Sequence, residues 1–411
     1  MQSADASLRA TRAEVLLDAI GHNLHVVRGA VKGCKVLAVV KADAYGHGVV
    51  PVAQRLQAEG VDGFGVALAE EGIELRDAGI DRAILVLNGI SGGAHRDIIA
   101  AGLTPVLYDL SEASAFEAVS ADRPIDIHLK VDTGMGRLGV PLGELTEFLR
   151  ELRRFPSIRI VGLMTHLSTA DADPEYVAEQ IAGFARAQGL VRRFGHQPIV
   201  LHAANSAACF RHPETHFDWV RPGLALYGYP GSDTIDAPLR PALRWRTEVL
   251  RVRTLQSGES AGYGRSFRAA STTLLATIPV GYGDGLLRSA SNRGHVLIRG
   301  ARCPIVGNIA MDLTTVDVSG VPGVGIGDEA LPLSDCRKHC DGPDHRRCFG
   351  SSWRGDWRRS ATARGARRCG PRCARSCEGC RNHPVRGADQ RVAPSPSRLS
   401  EWLTFRLRTV L

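Results

Sequence analysis

Between residues 13 and 237, short apolar runs alternate with stretches whose apolar residues recur every three to four positions. The runs at 36–40, 63–67, 83–87, 105–108, 125–131, 158–164, 199–203 and 224–227 are too short for helices and predict strands. The stretches at 50–59, 68–78 and 174–194 carry the helical period and predict amphipathic helices between them. Eight such units in succession predict an α/β fold, a closed parallel (β/α)8 barrel rather than an open sheet. Near Pro238 the pattern changes. Runs at 243–255, 272–280, 295–300 and 312–318 are separated by Gly-rich turns, which predicts a β-rich second domain over 238–330. Residues 1–12 show neither period and read as a flexible N-terminus.

Composition changes the picture only at the C-terminal end. The net charge of +8 comes from residues 331–411, which hold 18 Lys+Arg against 7 Asp+Glu; residues 1–330 hold 33 against 36. The basic balance therefore says nothing about nucleic-acid binding by the body. Cysteine divides likewise: Cys34, Cys209 and Cys303 in the body, and seven between Cys336 and Cys380. Three scattered thiols predict a reducing compartment and no disulfide framework. No stretch resembles a signal peptide or a membrane span, so a cytoplasmic location is the expectation.

The candidate chemistry falls at strand ends, which in a barrel line one mouth. Lys41 ends the first predicted barrel strand, and residues 1–330 contain only three other lysines, Lys32, Lys35 and Lys130. Burial lowers a lysine pKa, which an imine-forming lysine needs; by spacing alone, a strand-end lysine snorkelling to solvent is an equal reading. Lys130 and Arg137 flank VDTGMG, His166 follows GLMT, Asn205 and Ser206 follow LHAA, and Arg221 precedes Pro-Gly. Singly, each has a structural explanation: a core histidine, a helix N-cap, a surface arginine. Their shared position raises them above it.

The segments AVVKADAYGHG, HLKVDTGMGRLG, THLSTAD, HAANSAA, VRPGLALYG, SAGYGRSF, IPVGYGDG and MDLTTVDV resemble, in order, the landmarks of alanine racemases, from about residue 13 to 329. The resemblance implies a pyridoxal-phosphate-dependent barrel enzyme with a β-rich C-terminal domain, acting as a head-to-tail homodimer that interconverts L- and D-alanine and supplies D-alanine for peptidoglycan. It implies that Lys41 carries the cofactor and is one acid/base, and that Tyr263, from the partner subunit, is the other. His166 would ease proton loss from Tyr263. Arg221 would face the pyridine nitrogen. Tyr45, Ser206, Gly223 and Leu224 would hold the phosphate, with Asn205 beside them. Arg137 would meet the cofactor's phenolate side and the substrate carboxylate, oriented by Lys130, for which a carbamylated and a plain lysine are equal readings. Tyr282 and Met311 would border the carboxylate, with Asp312 bracing their loop. No metal is expected.

Three other functions compete. A non-catalytic pyridoxal-phosphate-binding barrel would lack the second domain and its Tyr263 segment. A fold-type III decarboxylase would show a Gly-rich phosphate loop, where this chain has HAANSAA. An inactive remnant, or a serine or broad-specificity racemase, fits the same motifs. After about residue 331 the resemblance stops. The tail is rich in Arg and Cys and has no tyrosine. Cys369, Cys373, Cys377 and Cys380 have a spacing unlike a standard zinc finger. The composition reads as an out-of-frame, disordered ending, which predicts exposed strand edges near Val316 and Ala330 and poor solubility.

Overall fold

The computed structural model describes residues 9–333, apart from 32, 91, 122, 198 and 199. The expectations about the C-terminal tail, its cysteines included, lie outside the described residues. The first strand, β1 (Arg12–Val15), precedes the barrel. The barrel is formed by β2 (Lys35–Val39), β3 (Gly63–Val66), β4 (Ala83–Val86), β5 (Thr104–Leu107), β6 (Ile125–Asp132), β7 (Ile158–Met164), β8 (Val200–His202) and β9 (Trp219–Val220). Each pairs parallel with the next, and β9 returns to β2 through Trp219↔Lys35 and Val220↔Val36, closing the ring. Parallel strands covered on both faces read as near-continuous apolar runs, which is why seven of the eight were visible in the pattern. Ile127, Leu129 and Val131 of β6 face the helices, while Leu37, Val39, Leu85, Leu87, Val106 and Met164 form a separate apolar cluster.

The β6–β9 side of the interior is polar instead. His128 and His202 are buried there, and their rings meet edge to face. Gly162 on β7 makes room for them: a Cβ on Gly162 would sit inside the His128 ring.

Residues 224–227 are not the eighth strand. They form a 3-10 turn, because Pro222 has no N–H for a ladder and the Ser206 hydroxyl accepts from Gly223 and Ala225 N–H. The two-residue β9 closes the barrel in their place.

The second domain is all-β. After β10 (Leu243–Glu248) the chain crosses between sheets at Val249 and Leu250 and continues as β11 (Arg251–Leu255) and β12 (Thr273–Ile278). The single run expected at 243–255 is thus two strands. β13 (His295–Ile298), β14 (Ala301–Pro304), β15 (Thr314–Asp317) and β16 (Glu329–Leu333) complete it. Ser260–Ala261 pairs antiparallel with Phe267–Arg268 in a small hairpin; of the two larger sheets, one has the order β1-β10-β16-β13-β14, the other β11-β12-β15. Trp245, Ile278, Val296, Ile298, Val316 and Ala330 pack between them. Of the edges expected near Val316 and Ala330, the second is covered, because β16 is paired on both sides; β15 ends its sheet, with one bridge from Ile305 to Val316 on its outer side.

The N-terminus also departs from the expectation of flexibility through residue 12. Arg9 donates to both carboxylate oxygens of Asp284 (2.6 and 2.8 Å) and to Pro279 O, and β1 pairs with β10. Arg12 and Glu14 alternate with Ala13 and Val15 over only four residues, too short a run to read as a strand. Among the described residues no helix is long and apolar enough to cross a membrane, and no cluster of metal ligands occurs.

Candidate active site

Lys41 stands two residues beyond β2 and begins an unusual turn. Ala42, Asp43, Ala44 and Tyr45 all have φ between 52° and 56°, a left-handed helical turn without glycine. Such a conformation costs roughly 1–2 kcal/mol per residue, so the surroundings must hold it. Ala44 N–H donates to Val40 O, and Asp43 Oδ1 accepts from Val49 N–H at 2.7 Å. Glu71 contributes most: Oε1 accepts from Ala42 N–H (2.6 Å) and Oε2 from Ala67 and Leu68 N–H. This carboxylate ties the Lys41 turn to the next β/α loop. The Lys41 pKa is lowered, by burial first and by Arg137 second, with Glu71 opposing. Glu71→Ala should strand three backbone donors and cost about 1–3 kcal/mol, read as a fall in Tm; Glu71→Gln should recover part of it. A Tm unchanged in Glu71→Ala would show that the turn holds itself.

The second wall is a backbone loop. Ser206 Oγ accepts from Gly223 N–H (2.9 Å) and Ala225 N–H (3.1 Å). Asn205 serves as an N-cap, accepting from Ala208 N–H and donating to Leu167 O. A Cβ at Gly223 would lie 2.4 Å from Tyr45 Oη, so only glycine lets that hydroxyl close on the loop. Burial pushes the Tyr45 phenol up to about 12, leaving it a neutral donor. Leu224 is exposed at the rim. Hydroxyls and backbone N–H groups gathered this way suit a phosphate. Gly223→Ala should displace Tyr45 and weaken binding of pyridoxal phosphate about 10- to 100-fold, the value of one hydrogen bond to a charged group. A fluorescence titration reads it, and unchanged affinity would remove Tyr45 from the cradle.

Between these walls lie Lys130, Arg137, His166 and Arg221. Arg221 is buried, and its guanidinium donates to Thr165 O (2.7 Å), Ala203 O (3.1 Å), His202 Nδ1 (3.0 Å) and, at 3.5 Å, His166 Nδ1. None of these partners is a carboxylate. Burial draws its pKa down to about 10, so it stays charged near neutrality. Lys130 falls to about 8, by burial first and then by Arg221, Arg137 and Lys41. His166 falls to about 3, from burial and then the same cations, and is neutral. The mouth is thus rich in positive charge, which suits a dianionic ligand. Asp132 does little to offset it. Its carboxylate accepts from the backbone N–H groups of Gly134, Met135, Gly136 and Arg137 and so fixes the loop that carries the exposed Arg137.

The remaining candidates sit elsewhere. Tyr263 stands on a tight turn of the β domain, 73% exposed, with its carbonyl held by Asn308 Nδ2 at 2.7 Å. Tyr282 N–H donates to Ala310 O and Gly283 N–H to Met311 O, so Tyr282 and Met311 share one loop pair. Asp284 braces that pair, accepting from Gly281 N–H and Arg9; the bracing expected of Asp312 falls to it, and Asp312 lies exposed. Among the described residues, no hydrogen bond or ion pair joins this group to the barrel mouth.

Sequence reasoning missed Glu71, Asp132, Thr165, His128 and His202. Histidines inside strand runs, in IHLK and VLHA, were the available signal.

The mouth fits pyridoxal phosphate: a lysine of lowered pKa, an excess of cations, a hydroxyl-lined backbone loop, and a buried guanidinium paired only with neutral groups. Residues 15–230 match the family model "Alanine racemase, N-terminal domain", and residues 242–342 match "Alanine racemase, C-terminal domain". An alanine racemase of Sorangium cellulosum is 44% identical over 336 residues, covering 79% of this chain and 89% of that one. The crystal structure of alanine racemase from D-cycloserine-producing Streptomyces lavendulae superposes with a TM-score of 0.76 at 34% identity, covering 82% of this chain and 91% of that one. Alanine racemase from Bartonella henselae, solved with covalently bound pyridoxal phosphate, gives 0.73 at 30% identity, covering 82% and 96%.

Proposed function

The chain belongs to the alanine racemase family, and on that premise we propose that it interconverts L-alanine and D-alanine with pyridoxal phosphate held at the barrel mouth by Lys41. The observation that carries the reading is the buried Arg221, without a carboxylate partner, at the same mouth as a lysine of lowered pKa. When bound, the cofactor supplies the electron sink that makes the Cα proton of an amino acid removable.

The rest is the work of side chains. Tyr45, Ser206, Gly223 and Leu224 bind the phosphate. Lys41, its charge disfavoured by burial, takes or returns the proton on one face. Inversion needs a second group on the opposite face, and that group is Tyr263 of a second copy. His166, neutral and with Nδ1 accepting from Arg221, has its proton on Nε2 to donate to the phenol oxygen, which eases proton loss from Tyr263. Arg221 donates a hydrogen bond to the ring nitrogen without releasing its proton. An arginine there, rather than an acid, would leave the cofactor a weaker electron sink, which would favour return of the proton to Cα over cleavage of other bonds. Arg137 receives the substrate carboxylate, and Tyr282 and Met311 border it. Lys130, with a pKa of about 8, has a neutral fraction open to carbamylation, which would give Arg137 an anionic partner. D-alanine made this way would feed peptidoglycan assembly in the cytoplasm.

The test is exchange of the Cα proton for solvent deuterium by the purified chain with added pyridoxal phosphate, using alanine, serine and a branched amino acid. Exchange with inversion, fastest for alanine, is expected. Absence of exchange with alanine would overturn the assignment, and faster serine would redirect the substrate.

A further inference from the structure

Behind Arg221 the barrel interior holds a chain of two imidazoles. Arg221 Nη1 is 3.0 Å from His202 Nδ1, and His202 Nε2 is 2.7 Å from His128 Nδ1. A guanidinium has donors only, so His202 Nδ1 must accept. Neutral His202 then carries its proton on Nε2 and donates it to His128 Nδ1, which leaves the proton of His128 on Nε2. The donor at one end and the His128 acceptor at the other thus select the same tautomer of His202. Protonating His202 would set donor against donor. Burial, with Arg221 second, pushes His128 down to about 4 and His202 well below the ordinary histidine range, so both are neutral near pH 7. The rings are also locked sterically: they meet at 73°, Trp219 packs on both, and Gly162 leaves no Cβ in the way.

We infer that His128 is a positioning residue that, by accepting from His202, holds His202 in the form that accepts from Arg221 and so aims Arg221 at the ring nitrogen of the cofactor. Without that acceptor, His202 can place its proton on Nδ1, which faces Arg221 and turns it away. The catalytic consequence rests on the racemase reading; the tautomers do not.

The test uses the full chain with 15N-labelled histidine, first without cofactor, in long-range 1H–15N spectra at pH 7.5. Both imidazoles are expected as Nε2–H tautomers. His128→Asn places Oδ1 where Nδ1 was, keeps an acceptor, and should leave His202 unchanged. His128→Leu removes the acceptor and should mix the His202 tautomers. With pyridoxal phosphate and alanine, His128→Leu should lose about 10- to 100-fold in kcat with little change in KM, and His128→Asn should recover most of it. A wild-type His202 protonated on Nδ1, or identical His202 spectra and kcat in the Asn and Leu variants, would overturn the inference. If the wild-type chain racemised nothing, the racemase reading would fall, and the cofactor-free spectra would still decide the lock.

Discussion

Replacing Lys41 with alanine is expected to leave a folded protein that neither attaches pyridoxal phosphate nor racemises alanine. A single acid–base group contributes about 10²–10⁴ in rate, and this residue is proposed to anchor the cofactor as well, so the loss should reach the upper end of that range or exceed it. The variant needs a control, because Lys41 has a rival. Lys130 opens at the same mouth, and its pKa is also lowered, to about 8. The two differ in surroundings. Lys41 begins the left-handed turn whose last residue, Tyr45, closes on the Gly223 loop, whereas Lys130 lies within β6 between Arg221 and Arg137. Borohydride reduction followed by peptide mass analysis should therefore find the cofactor on Lys41 in the wild type and on no residue in Lys41→Ala. Cofactor on Lys130 would overturn the assignment.

Tyr263→Phe should cost about 10²–10⁴ in rate, and the defect should be repairable by the Lys41 variant. Tyr263 is largely exposed on a turn shaped by Gly262 and Gly264, both at positive φ, and among the described residues no hydrogen bond ties its side chain to its own barrel mouth. Tyr282, Met311 and Leu313 stand exposed on the same domain. A phenol presented this way is placed to enter a second copy. In an equal mixture of dissociated and reassembled Lys41→Ala and Tyr263→Phe chains, half the dimers would be mixed, each with one complete site, so about a quarter of wild-type activity should return in a symmetric dimer. No recovery from mixed dimers demonstrated by mass would remove Tyr263 from the neighbouring site.

The barrel was legible because strands buried on both faces write themselves as Val, Ile and Leu runs. Its closure was not. Trp219–Val220 is too short to show a period, and the apolar 224–227 drew the expectation to a turn. β1 was invisible because four residues, with only Ala13 and Val15 apolar, are too few to show a period. At the site, Lys41, Arg137, His166, Ser206 and Arg221 could be picked out because their side chains carry recognisable chemistry at strand ends. Glu71 and Asp132 could not, because their partners are backbone N–H groups of loops, and only coordinates bring those together. The left-handed turn was equally hidden: of Ala42, Asp43, Ala44 and Tyr45 only Asp43 enters positive φ at all readily, so tertiary contacts must hold the other three.

The pairing of β1 with β10 also sets a schedule for biosynthesis. Thr11 bonds Thr247 across 236 positions of sequence, and β1 occupies the outer edge of a sheet whose other strands are all made after the barrel. At roughly 5–20 residues per second, the first strand leaves the ribosome about 10–50 s before its partner exists. The barrel can close in that interval, but the N-terminal segment has to wait outside it, open to chaperones and proteases, until the second domain arrives to claim it.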